Sequence, residues 1–73
     1  MAKEELMSDV TGTVWKIERQ VGDRVEEGDV IMILESMKME IPLEATVSGT
    51  ITELPVPAGE SVDEGDLLCV IEQ

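Results

Sequence analysis

The chain has 73 residues and a net charge of −12 at pH 7, from 5 Lys and Arg against 17 Asp and Glu, with no histidine, tyrosine or phenylalanine. Five cations cannot build the basic patch that displaces counterions from phosphate, so nucleic acid and anionic membranes are excluded as partners. A hydrophobic content of 42% is too high for a solvated tail, and the missing side chains remove most of the acid, base and nucleophile repertoire, so one folded domain over residues 1–73, not itself an enzyme, is expected.

In chain order, Met1-Ala2-Lys3-Glu4-Glu5 leads into acid, not into an apolar leader, and reads as a loose terminus in a cytoplasmic protein. Val10-Thr11-Gly12-Thr13-Val14 opens the first extended run, in which Val14 and Ile17 stand three apart instead of two and predict a bulge or twist. Trp15 in that run reads as peripheral. Val21-Gly22-Asp23 and Glu26-Glu27-Gly28-Asp29 read as turns, the second entering residues 30–34, which are apolar on both faces and suit a central strand. Met39, Ile41, Leu43, Ala45 and Val47 alternate with Lys38, Glu40, Pro42, Glu44 and Thr46, the pattern of a half-buried strand, and Pro42 on its polar face predicts an edge position. Ile51 and Leu54 repeat the three-residue spacing, Asp63-Glu64-Gly65-Asp66 forms a further acidic turn, and residues 67–71 make a second strand apolar on both faces. The lone Cys69 closes no intrachain bridge, fits a reducing compartment and reads as a small core residue. No helix is predicted, and apolar runs of five residues are far short of a membrane span.

These segments form a repeat with an offset of 37 residues. Val10-Thr11-Gly12-Thr13-Val14 matches Val47-Ser48-Gly49-Thr50-Ile51, and the Gly22 and Gly28 turns match those of Gly59 and Gly65. The glycines pair as Gly12 with Gly49, Gly22 with Gly59 and Gly28 with Gly65, most simply as turns of positive φ. Two copies of one β unit predict an all-β flattened barrel or sandwich of two quasi-symmetric four-stranded antiparallel sheets. Residues 2–35 pair with 39–72, so Ser36-Met37-Lys38 alone lies between the copies, most simply as an exposed hairpin tip.

Of the three lysines, Lys38 is therefore the one at a loop tip, between Met37 and Met39 and rimmed by Glu35 and Glu40. A cation between two polarizable apolar side chains makes a docking handle for another protein, although Met39 also continues the inward phase of its strand and could be its last core residue. The acidic turns carry no cluster of metal ligands and read as a solvated face.

Glu35-Ser36-Met37-Lys38-Met39-Glu40 resembles the attachment motif of biotinyl domains, and the glycine turns, two-copy β organisation and mid-chain lysine extend the resemblance over nearly the whole chain. It is similar above all to the short free-standing biotin/lipoyl attachment proteins. Ser36 stands where the family most often has alanine, and Glu44-Ala45-Thr46 lacks a proline common before the following turn. The resemblance implies covalent biotin on Lys38, with Met37 and Met39 as recognition residues and Glu35, Ser36 and Glu40 as hairpin context. It implies a biotin protein ligase as the modifying partner and a carrier role between a biotin carboxylase and a carboxyltransferase. Lipoate on the same lysine is the alternative, although lipoyl domains usually read Asp-Lys-Ala. An unmodified β adapter module is the reading of another class.

Overall fold

The computed structural model describes residues 2–73, so Met1 of the expected terminus lies outside the described residues. Eight strands follow one another: β1 (Lys3–Met7), β2 (Gly12–Ile17), β3 (Arg24–Val25), β4 (Val30–Ser36), β5 (Met39–Glu44), β6 (Gly49–Glu53), β7 (Ser61–Val62) and β8 (Leu67–Glu72). They form two four-stranded antiparallel sheets, ordered β1-β8-β6-β3 and β5-β4-β2-β7. The expected all-β sandwich is present, and among the described residues there is no helix.

The 37-residue offset exchanges β1 with β5, β2 with β6, β3 with β7 and β4 with β8, which converts one sheet order into the other. Each sheet thus takes two strands from each copy, so neither copy has a sheet of its own. The apolar strands β4 and β8 are interior strands, whereas β5 is an edge strand that accommodates Pro42. Lys3 departs from expectation: instead of lying in a loose terminus it opens β1 opposite Glu72, and the Gln73 amide donates to the Ala2 carbonyl at 2.8 Å.

The core is built from repeat-related pairs: Val14 with Ile51, Val25 with Val62, Ile31 with Leu68, Met32 with Cys69 and Leu34 with Ile71, all buried. Such a core follows from applying one hydrophobic pattern twice around a pseudo-twofold axis. Buried Ser8 satisfies its hydroxyl by donating to the Val10 carbonyl at 2.6 Å. The expected bulges fall where register shifts between Val14 and Lys16 and between Ile51 and Glu53, making Trp15 and Thr52 equivalent positions.

The glycines divide into two kinds. Gly22, Gly28, Gly59 and Gly65 have φ between 93° and 96°, and their amides donate across the copies to Ile51, Ala45, Val14 and Ser8 carbonyls respectively. Gly12 and Gly49 depart from the expectation of positive-φ turns: they stand in strands because a Cβ there would collide with the Glu35 or Glu72 carbonyl oxygen.

Cys69 is fully buried, and desolvation raises its thiol from 9.0 to about 11. Between those values the unfolded chain loses the proton while the folded chain keeps it, so this contribution to stability is intact below pH 9 and lost as pH rises toward 11. Urea titrations should show wild type losing up to about 1.4 kcal/mol per pH unit in that window relative to Cys69→Ala. Parallel pH profiles of the two proteins would contradict this account.

Candidate functional site

The hairpin joining β4 to β5 has Ser36 paired with Met39, leaving Met37 and Lys38 as a two-residue turn. Both have positive φ, 52° at Met37 and 66° at Lys38, the requirement of the type I′ turns that match strand twist. Asn-Gly is the usual occupant of such a turn, whereas each side chain in the left-handed region costs about 1–2 kcal/mol. The chain therefore places a methionine and a lysine where local stability favours smaller residues. Replacing the pair by Asn-Gly should stabilise the fold by roughly 1–3 kcal/mol in chemical denaturation; an unchanged midpoint would show that the turn is unstrained.

Around this turn Met37 is 89% exposed, Met39 is 59% exposed and Lys38 is also exposed. Met39 is thus not the last core residue: it keeps the alternation of Ile41 and Leu43, which pack against the core, but is itself exposed. Glu35 and Glu40 stand directly opposite each other across β4 and β5, a like-charge pair that opposes strand pairing. Among the described residues, the ion pairs within 4.0 Å join Lys16 to Glu18 and Arg19 to Asp29, so Lys38 enters none of them.

Two supports of the hairpin are not evident from the motif. The Ser36 hydroxyl donates to the Thr11 carbonyl at 2.8 Å, tying the last residue of β4 to the segment entering β2. Gly12 lets β2 approach the Glu35 carbonyl, so the root of the hairpin is seated against a neighbouring backbone. The position of Gly12 inside a strand-like run is the signal that could have pointed to close backbone approach instead of a turn. The bond made by Ser36 has no such signal, since its acceptor is a main-chain carbonyl far away in sequence.

Two surface hollows lie elsewhere, both lined by Leu43, Glu44 and Thr46 with Asp9. Among the described residues no group of three or more His, Cys, Asp or Glu is placed to hold a metal ion. The hairpin presents the primary amine of Lys38 on an exposed tip.

A family model described as "Biotin-requiring enzyme" matches residues 4–71. The chain belongs to this biotin/lipoyl family. Within it, the Bacillus subtilis biotin/lipoyl attachment protein is 50% identical over 36 residues, which is 49% of this chain and 49% of that protein. Biotinylated protein TB7.3 of Mycobacterium tuberculosis is 40% identical over 42 residues, 58% of this chain and 59% of the relative. The chain spans about half the length of the curated relatives it matches.

Among solved structures, Kluyveromyces lactis urea carboxylase matches this biotin/lipoyl chain with a TM-score of 0.92 and 42% identity, over 99% of this chain and 6% of the carboxylase. A single-chain, multi-domain long-chain acyl-CoA carboxylase matches with a TM-score of 0.87 and 29% identity, over 93% and 7% respectively. The biotin/lipoyl fold of this chain therefore recurs as a small part of much larger carboxylases. No helix of the described residues is long and apolar enough to cross a membrane.

Proposed function

We propose that this chain is a biotin carboxyl carrier domain that works in the cytoplasm, acylated on Lys38 by a biotin protein ligase. The observation that carries this reading is the exposed Met37-Lys38 turn, held at positive φ on a braced hairpin. The family match and the resemblance to parts of two carboxylases support it. Amide formation releases a proton from the Lys38 amine, so the ligase must accept that proton and supply activated biotin, the activating group leaving as the amide forms. Exposed Met37 and Met39 give the ligase apolar contacts on both sides of the amine, and neither methionine is needed by the core. Glu35, Ser36 and Glu40 fix and flank the turn. Once attached, biotin supplies the carboxyl-accepting chemistry, while the chain supplies reach and a high effective concentration at each enzyme it visits. The reading assigns catalysis to a biotin carboxylase and a carboxyltransferase, not to this chain.

The test is transfer of labelled bicarbonate carbon onto the ligase-treated protein by a biotin carboxylase with ATP. Label bound to the wild type and absent without prior biotinylation is the expected result; a biotinylated protein that never takes label would contradict the carrier role. The name of the Bacillus subtilis relative favours lipoate as the second reading, and a lipoyl mass increment in cells would support it.

A further inference from the structure

The pseudo-twofold axis lets each position on one sheet be compared with its counterpart on the other, where the same backbone makes the same structural demand. In the β2 bulge, Trp15 and Lys16 together oppose Ile33, and Ile33 is paired on its other side with Pro42. Met32 and Leu34, on either side of Ile33, are buried, so Ile33 faces outward in the row formed with Lys16 and Pro42. The counterparts on the other sheet are Thr52 and Glu53 opposing Val70, with Glu5 on its far side. One outer face thus carries Trp15, half-buried Ile33 and Pro42 with Lys16, where the corresponding row of the other sheet carries Thr52 and Glu5 with Glu53 around Val70, which is buried. A structural role for these side chains would be the same on both sheets, and it is not. Trp15 is the only aromatic side chain of the protein and is 50% exposed. The face that holds it is also the face whose strands β4 and β5 run into the Lys38 hairpin.

We propose that the outer face of β5-β4-β2, centred on Trp15, Ile33 and Pro42, is the surface by which the domain docks on the enzyme that carboxylates the biotin on Lys38. This inference rests on the carrier reading. Ligation takes place at the Lys38 nitrogen, so a ligase has to hold only the turn. Carboxylation takes place at the far end of a long flexible arm, where the turn need not touch the enzyme, and the body of the domain must be held for the arm to act at high effective concentration. The length of the arm separates this enzyme from the ligase, and charge complements it. ATP and bicarbonate are anions, so an enzyme that uses them needs a cationic mouth, complementary to a chain of net charge −12 in which Glu35, Glu40 and Glu44 lie on the strands of this face and Glu18 pairs with Lys16. A second copy of this chain would bring a further −12 against the same face, which disfavours self-association. Trp in the middle of an apolar patch with a charged rim is also the composition of a binding hot spot.

The test transplants the opposite face: Trp15→Thr, Lys16→Glu and Pro42→Glu, singly and together, each introducing the residue that the other sheet already bears at that position. Direct binding of the unmodified chain to the biotin carboxylase of its own cell, by calorimetry, reads docking without the arm; the KM for the biotinylated chain reads it during turnover. Trp15→Thr is expected to weaken binding and raise KM by about tenfold or more, with kcat and the rate of ligation within about twofold of wild type. Glu53→Ala on the opposite face should leave all four unchanged. Wild-type affinity and KM in a folded, biotinylated Trp15→Thr protein would overturn the docking proposal alone. An equal loss in ligation would assign the face to the ligase, and dimers in sedimentation that Trp15→Thr dissolves would assign it to a second copy; either overturns the proposal. A wild type that accepts no biotin would instead overturn the carrier reading on which it rests.

Discussion

Lys38→Arg is expected to take up no biotin while folding as the wild type does. Arginine keeps the charge, the length and the compatibility with solvent of the residue it replaces, at a position already in the left-handed region with φ 66°. Its guanidinium, however, stays protonated under all conditions a ligase meets and offers no amine to acylate. An exposed substitution of this kind changes stability by no more than about 0.5 kcal/mol, which for a chain of this size is a melting shift within about 4 °C. Intact mass and a thermal scan on the same sample separate the two properties. Retained biotin on Lys38→Arg would move the attachment to Lys3 or Lys16, neither of which lies on a turn.

Gly12→Ala is expected to be the most damaging single-methyl change in the protein, matched only by its repeat partner Gly49→Ala. A Cβ at position 12 would run into the Glu35 carbonyl oxygen and meet the Ser36 Cβ at 3.2 Å; one at position 49 would run into the Glu72 carbonyl oxygen and meet the Ile71 side chain at 2.9 Å. Carbonyl groups within a strand cannot turn aside as a flexible side chain would, so paired backbones must separate. Overpacking of this kind costs roughly 2–3 kcal/mol, a large part of the roughly 4–11 kcal/mol that a domain of this length commands. Melting temperatures should fall by roughly 10–20 °C in both variants. Their functions should then diverge, because Gly12 seats the root of the Lys38 hairpin and Gly49 seats the carboxyl terminus. Ligation should slow in Gly12→Ala, measured well below its melting temperature, and stay at the wild-type rate in Gly49→Ala. Equal ligation rates would show that seating of the hairpin root does not matter for attachment.

Much of the fold was legible because the sequence states its pattern twice. Glycine turns at matched positions, two apolar runs and one alternating strand with Pro42 on its polar face left little freedom in the elements or in the edge position of β5. The hairpin at Lys38 was legible for the same reason, since only three residues separate the copies. The interlocking of the copies was not legible, because periodicity reports which face of a strand is buried and not which strand lies beside it. The distinction between Gly22 and Gly12 also needed the structure: positive φ and close approach both demand the absence of a Cβ, and sequence records only that absence. Met39 shows a third limit, since alternation reports the phase of a strand and not how far along it the core extends, and Met39 is exposed. The one-sided Trp15 face became meaningful only when the register placed it beside Ile33 and Pro42.

The most direct test of the account is the position of the biotinyl group after treatment with ligase, biotin and ATP, read by tandem mass spectrometry of a tryptic digest. Trypsin cuts the unmodified chain after Arg24 and Lys38, and no Lys or Arg follows Lys38. Acylation of Lys38 removes that cleavage, so the account predicts one biotinyl increment on a single fragment spanning residues 25–73. An increment on Lys3 or Lys16, or a fully cleaved, unmodified fragment ending at Lys38, would contradict it.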